Sequence, residues 1–486
     1  MKGKDLAGPL LDEVYKKIGF GKFHIITTII FGFMQYFDAA ELILLAFLGP
    51  ILNCSWRISL LESSFISMAV FIGMILGSLT FGKFSDKYGR KKTILIGVCG
   101  ILYFSLLCAL SPTVIWIIFS RGFIGYFIGN ISIMISTYTT EIMPISHRGI
   151  SQMCVQTFWS LGSYYISLLT ITLVPRYGWR LWLVISACPM IFILPAIIWL
   201  PESPRYLLLV NRKDEAIKVI NYIASMNGAD PVSDVNIIKQ KSSSTIKDIF
   251  HPTYLITTVI CAYICFVAGT SYYGYVLSSS IINNIPHNCL QNLSLLSDIS
   301  LYTNSSIDDS CCFFQTWDTM NTVFISITGE LIIFASSVFF IRWMCRKLYL
   351  QILMFIVGVV YIALNFCLSP TYTGLLMMFG RGGAVTLIGV QYLYISEAFP
   401  TTIRSLSIGI GSSFVRFGAI SSPFIVNMIM AKLSFLGSTL FYCGLNVFGT
   451  ILVFALPIET RNRSLLQSVE EEIIEDESPN VNDKNR

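Results

Sequence analysis

Long apolar runs separated by short polar stretches make up most of the chain. Twelve of them approach the roughly 20 residues an α-helix needs to cross a hydrocarbon core of about 30 Å. They fall at 23–49, 60–82, 93–111, 113–138, 151–174 and 181–200, and then at 253–280, 319–341, 349–368, 371–395, 406–430 and 434–456. The pattern predicts an all-α membrane protein of twelve transmembrane helices in two six-helix halves. A segment over 1–22 precedes a bundle over 23–200; a linker over 201–252 leads to a second bundle over 253–456, which contains a loop over 281–317, and a tail over 457–486 follows. In the linker, Ala216, Val219, Ile220, Ile223 and Ala224 recur at helical spacing and Gly228 is a stop signal, so a surface helix is expected there. The segment before Phe23 lacks an apolar core followed by a small-residue cleavage site, so the first span is expected to direct its own insertion.

Composition narrows the class. With 486 residues, 54% of them hydrophobic, a mean hydropathy of +0.68 and only 13% charged, the chain is too apolar for a water-soluble domain. The net charge of +5 does not indicate nucleic acid, because the basic residues sit in loops beside the spans rather than in one stripe. Their placement gives an orientation instead. One side of the twelve spans carries 26 Lys and Arg and the other carries four, which predicts both termini in the cytoplasm. On the sparse side, the loop 281–317 has no Lys or Arg but holds Cys289, Cys311 and Cys312 and the sequons at Asn292 and Asn304; a further sequon, at Asn53, lies beside Cys54. Glycans and one or two disulfides are expected in an oxidising lumen, with the pairing open. Past Thr460 the sequence turns polar and then acidic, from Glu470 to Glu477, and reads as a disordered tail.

The halves are related. Glu141, Pro144 and Arg148 recur as Glu397, Pro400 and Arg404, Arg90 and Lys91 as Arg346 and Lys347, and Leu200 and Pro201 as Leu456 and Pro457, every pair offset by 256. Such repeats suit alternating access about a site near the bilayer midplane. The second copy has Arg342 for Asp86 and Cys345 for Gly89, so the repeat is decayed at that loop.

The run from Gly82 to Lys92, with Gly82, Asp86, Gly89 and Arg90 at fixed spacing, resembles the loop between the second and third helices of the major facilitator superfamily of secondary transporters. Glu141 to Gly149, Gly178 to Arg180, Pro201 to Arg205 and Leu456 to Thr460 resemble the group of sugar porters and organic ion transporters. Gly19 to Phe23, Asp38 to Glu41, Ser271 to Gly274 and Arg416 to Pro423 are most similar to its synaptic-vesicle-protein-related (SVOP-like) branch. The likeness runs from about Asp12 to Thr460 and departs at Arg342 to Lys347 and at Arg461 to Arg463. It implies a cytoplasmic latch built from Gly82, Asp86, Gly89 and Arg90. Ion pairs Glu141–Arg148 and Glu397–Arg404 are expected beside it.

Ionisable residues inside spans are costly and mark function. Asp38 and Glu41, three apart, share a face of the first span. The resemblance places Arg121 of the fourth span beside the first, so an Asp38–Arg121 pair is expected to exchange a proton. In the second half Glu330, Arg381 and Arg416 lie in spans; with Gln156, Trp159, Tyr272, Tyr273, Gln391 and Tyr392 they form the candidate substrate set. There Glu330 would take a cation, or Arg416 an organic anion. His24, His147, His251 and His287 are scattered, with no metal spacing or catalytic triad, so no enzyme and no cofactor is expected. The expected function is secondary transport, as a symporter, of a small organic, charged solute, with protons as the candidate coupling ion and the lipid bilayer as host. Span 7 lacks the glutamine-rich pattern of sugar porters. The alternative is a vesicle membrane protein that no longer transports and acts as a trafficking or binding partner. Both a plasma membrane and an intracellular vesicle fit.

Overall fold

The computed structural model describes residues 11–144, 147–235, 249, 251–280, 282, 317–366, 368–399 and 401–460. The predicted Cys289, Cys311 and Cys312, the sequons at Asn292 and Asn304, and the tail beyond Thr460 lie outside them. Described residues up to Val235 form one compact unit and those from Ile249 form another. No strand occurs among the described residues.

The first unit opens with a helix that the search for long apolar runs passes over, α1 (Leu11–Ile18). Its Leu11, Val14, Tyr15 and Ile18 recur at helical spacing and are all buried. Then come α2 (Lys22–Trp56), α3 (Leu60–Tyr88), α4 (Arg90–Ala109), α5 (Val114–Ile142), α6 (Arg148–Ala187), a 3-10 turn over Cys188–Phe192, α7 (Ile193–Trp199), α8 (Pro204–Leu209) and α9 (Lys213–Asn227). Ser59 and Glu62 start α3 as a reciprocal capping box: the Glu62 carboxylate accepts from the Ser59 amide at 2.7 Å, and the Ser59 hydroxyl accepts from the Glu62 amide at 3.2 Å.

Continuous apolar helix from Arg148 to Trp199 runs for 52 residues, more than twice what one crossing needs. It contains two passes. Gly178, at φ 76° and ψ 173°, interrupts the helix three residues after Pro175 and turns the chain back. The eleven apolar helical stretches among the described residues therefore supply twelve crossings.

The second unit holds α10 (Pro252–Ser279), α11 (Trp317–Trp343), α12 (Arg346–Ala363), α13 (Pro370–Ala398), α14 (Thr401–Phe424), a π-helical stretch over Ile425–Leu433, and α15 (Phe435–Phe454). Helix pairing repeats between the units: α3 packs on α5 and α2 on α6, as α11 packs on α13 and α10 on α14. With lipid outside, apolar surface alone drives little association, so close backbone approach must do it. Glycines permit that approach. A Cβ at Gly73 would strike the Gly122 carbonyl, one at Gly125 the Val70 carbonyl, and one at Gly162 the Tyr36 carbonyl. In the second unit Gly382 meets the backbone of Gly329, Gly269 that of Val415 and Gly418 that of Phe266.

The linker helix α9 buries Ala216, Ile220, Ile223 and Ala224, and Gly228 ends it in the left-handed conformation at φ 74°. Asn227 then caps the start of α2, its amide oxygen accepting from the Phe23 amide at 3.1 Å and its nitrogen lying 3.1 Å from His24 Nδ1. At the other end of α2, Asn53 is exposed and Cys54 is disulfide-bonded, while the eight other described cysteines are free.

Overpacking a core site costs about 1–3 kcal/mol. Gly125→Leu should accordingly lower the melting midpoint of purified protein by several degrees or abolish monodisperse folding. Gly82→Ala, whose added Cβ meets nothing within 4 Å, should leave the midpoint in place when both are followed by scanning fluorimetry.

Candidate functional site

Within the first unit, Arg121 Nη1 of α5 lies 2.6 Å from Glu41 Oε2 of α2, and Ser105 of α4 donates to Glu41 Oε1 at 2.9 Å. Arg121 is 1% exposed and Glu41 5%. One turn earlier on α2, Asp38 is equally buried and accepts from Ser132 at 3.2 Å. Gln156 and Trp159 sit half-buried, three residues apart on α6.

The second unit builds a different pair from different helices. Arg381 Nε of α13 lies 2.6 Å from Glu330 Oε1 of α11, and Tyr272 of α10 donates to that same oxygen at 2.9 Å. The Arg381 guanidinium also lies 6.0 Å from the centre of the Tyr272 ring, which packs edge-on to Tyr273. Both charges are 1% exposed. Arg416 and Gln391 are buried and Tyr392 is half-buried.

At the Lys/Arg-rich end, Gly89 links α3 to α4 at φ 99°, and a Cβ there would strike the Glu202 carboxylate. That carboxylate accepts from the amides of Arg90 at 2.8 Å and Lys91 at 3.2 Å, capping α4 where its free N–H groups and dipole favour a negative charge. The Arg90 side chain reaches Glu141 at 3.0 Å, Asp86 at 3.0 Å and the Ser85 carbonyl at 3.0 Å, and stacks over Tyr206. Tyr138 donates to the Pro201 carbonyl, and Lys91 Nζ to that of Ile198 at 2.6 Å.

The second unit repeats this lattice. Glu459 accepts from the amides of Arg346 at 2.8 Å and Lys347 at 3.2 Å. Arg346 pairs with Glu397 at 3.2 Å and donates to the Ile341 carbonyl. Lys347 Nζ reaches Leu456 O at 2.6 Å and Tyr394 donates to Ile458 O at 2.7 Å.

The sugar (and other) transporter family matches residues 21–471. This chain belongs to that family. Synaptic vesicle 2-related protein of Xenopus laevis is 29% identical over 476 residues, spanning 96% of this chain and 84% of the relative. Putative transporter SVOPL of Mus musculus is 30% identical over 464 residues, spanning 94% and 93%. Among solved structures, the inward-open xylose transporter XylE of E. coli has a TM-score of 0.62 over 91% of this chain and 97% of that one; at 16% identity this shows the shared fold. The chain is thus a multi-pass membrane transporter of the major facilitator fold, and not an enzyme.

Several partners in this family member differ from those expected. Arg121 takes Glu41 rather than Asp38 as its ion-pair partner. Arg121 and Ser132 are eleven residues apart on α5, about three turns, so the two acids of α2 address different levels of α5. At Glu330 one carboxylate oxygen, Oε1, takes both Arg381 and Tyr272. Glu141 does not pair with Arg148. It faces the buried Arg90 at the start of α4, while Arg148 turns to Asp12 of α1 at 2.8 Å, and Asp12 also holds Arg205 at 3.3 Å. Arg404 likewise does not reach Glu397, which is taken by Arg346 and by Thr460 at 2.6 Å.

The second latch keeps its carboxylate cap and its arginine pair despite Cys345 in place of Gly89. Cys345 sits at φ −64° and ψ 140°, which any residue adopts, and Glu459, two residues past Pro457, does the work of Glu202, one residue past Pro201. Asp12, Ser105, Ser132, Glu202 and Glu459 are the neighbours that sequence reasoning missed. Glu202 and Glu459 had a signal, lying inside the Pro201 to Arg205 and Leu456 to Thr460 motifs.

Breaking a buried ion pair costs about 3–5 kcal/mol, and an exposed one much less. The Arg90 and Glu141 side chains are 6% and 7% exposed, against 13% and 21% for Arg346 and Glu397. Arg90→Ala should therefore depress the melting midpoint more than Arg346→Ala. Equal depression in thermal unfolding would contradict this ranking.

Proposed function

We propose that this transporter is a proton-coupled symporter for a small, charged organic solute, moving it by alternating access. The observation that carries the reading is the Glu41–Arg121 pair, a carboxylate and a guanidinium kept out of water in apolar helices. Protonating Glu41 removes one charge of the pair and leaves Arg121 to seek another anion, so proton binding and helix packing are linked. Asp38, on the same face of α2 and hydrogen-bonded to Ser132, is the second proton-carrying group. Solute contacts are assigned to Gln156 and Trp159 in the first unit and to Tyr272, Tyr273, Gln391, Tyr392 and Arg416 in the second, with Glu330 and Arg381 holding Tyr272 in place. The lattices around Arg90 and Arg346 form the gate elements of the Lys/Arg-rich end, which we assign to the cytoplasm. The disulfide at Cys54, at the opposite end of α2, supports an oxidising compartment there. Asn53, exposed beside it, is the proposed glycan acceptor among the described residues.

A vesicle protein without transport is the second reading, favoured by the name of the Xenopus relative. Two buried ion pairs, each costly to assemble, favour the carrier. In proteoliposomes screened with organic cations and anions, with and without a pH gradient, at least one solute should accumulate only when the gradient is present. Asp38→Asn and Glu41→Gln should each cut that accumulation at least tenfold while solute exchange persists. Accumulation indifferent to the gradient and to both substitutions would reject proton coupling.

A further inference from the structure

The two ion pairs buried inside the spans differ in what they leave open. In the first unit both oxygens of Glu41 are filled, Oε1 by Ser105 and Oε2 by Arg121. In the second unit Glu330 Oε1 takes both Arg381 Nε at 2.6 Å and the Tyr272 hydroxyl at 2.9 Å. Its other oxygen, Oε2, is enclosed and has no hydrogen-bond partner among the described residues. The same holds for Arg381 Nη2, on the edge of the guanidinium that presents Nε to the carboxylate, while Nη1 lies 3.5 Å from Ser326 Oγ. Elsewhere that edge is used in full. Arg90 turns Nε and Nη2 on Glu141 at 3.2 and 3.0 Å, and Arg346 turns both on Glu397 at 3.2 Å. Glu330 and Arg381 are each 1% exposed, so bulk water does not serve the bare acceptor and the bare donor.

These two atoms restrict what can fill them. Nη2 shares its carbon with Nε and Oε2 shares its carbon with Oε1, so each lies two bonds from a 2.6 Å contact and they are near neighbours. One donates and carries positive charge; the other accepts and carries negative charge. The pair is balanced, one carboxylate against one guanidinium. A singly charged solute would leave its charge uncompensated in an apolar interior. A solute with both charges keeps the total at zero and makes a charge-assisted hydrogen bond at each end, where an uncharged polar group makes weaker ones. Helix α10 supplies the walls. The Tyr272 ring lies 6.0 Å from the guanidinium and packs edge-on to Tyr273, and the faces of such rings suit an ammonium. Helix α11 packs mainly on α13 and touches α10 little, so the pair is most easily uncovered from the α10 side.

We propose that Glu330 and Arg381 bind the polar head of a small zwitterion, its carboxylate on Arg381 Nη2 and its ammonium on Glu330 Oε2, with the charges a few bonds apart as in an amino acid. This site presupposes the carrier function proposed above and narrows the charged solute to one with no net charge. Tyr272, which shares Oε1, covers the bound head.

Equilibrium binding to the purified full chain in nanodiscs, with no pH gradient, tests the site. The probes are glycine, β-alanine, 4-aminobutyrate, leucine and phenylalanine, each beside its N-acetyl form, which lacks the ammonium, and its amide, which lacks the carboxylate. Calorimetry and the melting midpoint report binding. At least one zwitterion should bind, about tenfold or more tighter than either of its blocked forms. Glu330→Gln should abolish the preference over the N-acetyl form and keep that over the amide; Arg381→Gln should do the reverse. Comparison of the probes on the parent protein decides the solute class even where a substitution fails to fold. Absence of binding by all five zwitterions would overturn the proposal, as would a blocked form that binds equally well or preferences that survive both substitutions. Binding without gradient-driven uptake would keep this site and remove proton coupling, whereas gradient-driven uptake of singly charged solutes alone would keep proton coupling and remove this site.

Discussion

A charge taken out of water must find its opposite within hydrogen-bond reach, and in this transporter that requirement fixes which helices lie together. Glu41 commits α2 to the Arg121 level of α5, and Ser105 brings in α4. Glu330 commits α11 to α13, with Tyr272 bringing in α10. Gly329 and Gly382, each next in sequence to a member of the Glu330–Arg381 pair, bring the backbones of α11 and α13 together there. The glycines on α3, α5, α11 and α13 let backbones touch, and the polar side chains are positioned by that contact.

The two units solve the same problem twice and differ in the details. Helix pairing and the carboxylate-capped arginine lattice are shared, down to Lys91 and Lys347 each donating to a backbone carbonyl at 2.6 Å. The in-span ion pairs are not shared: one joins the first and fourth crossings, the other the eighth and tenth. The lattice serves helix ends, whose unsatisfied amides are the same wherever a helix begins, so it survives divergence. An in-span pair has no such general requirement behind it, and the two halves differ there.

The lattice also explains how the second latch lost its glycine without losing its geometry. Gly89 is required where the Glu202 carboxylate presses against the backbone at positive φ; at Cys345 the chain turns with ordinary angles and the acid arrives from one residue further along. The cap is a glutamate carboxylate in both halves, although its position in the sequence shifts by one residue. The arginine pair beside it is more exposed in the second unit than in the first, which makes that pair the weaker of the two.

The amino-acid sequence by itself determined the class, the number of crossings and the repeat, because each is a one-dimensional property: the length of an apolar run, the spacing of a motif, an offset of 256. It also named the costly residues, since an ionisable group in an apolar run stands out without coordinates. Which charge meets which was decided only in three dimensions. Asp38 and Glu41 are three residues apart and equally eligible for Arg121, and nothing local distinguishes them; the level at which α5 passes α2 does. Glu141 and Arg148 are near in sequence yet face different partners, because one lies at the end of α5 and the other at the start of α6. The short helix α1 was invisible to a search for long runs, as eight residues gain their stability from the surface they cover and not from their own pattern.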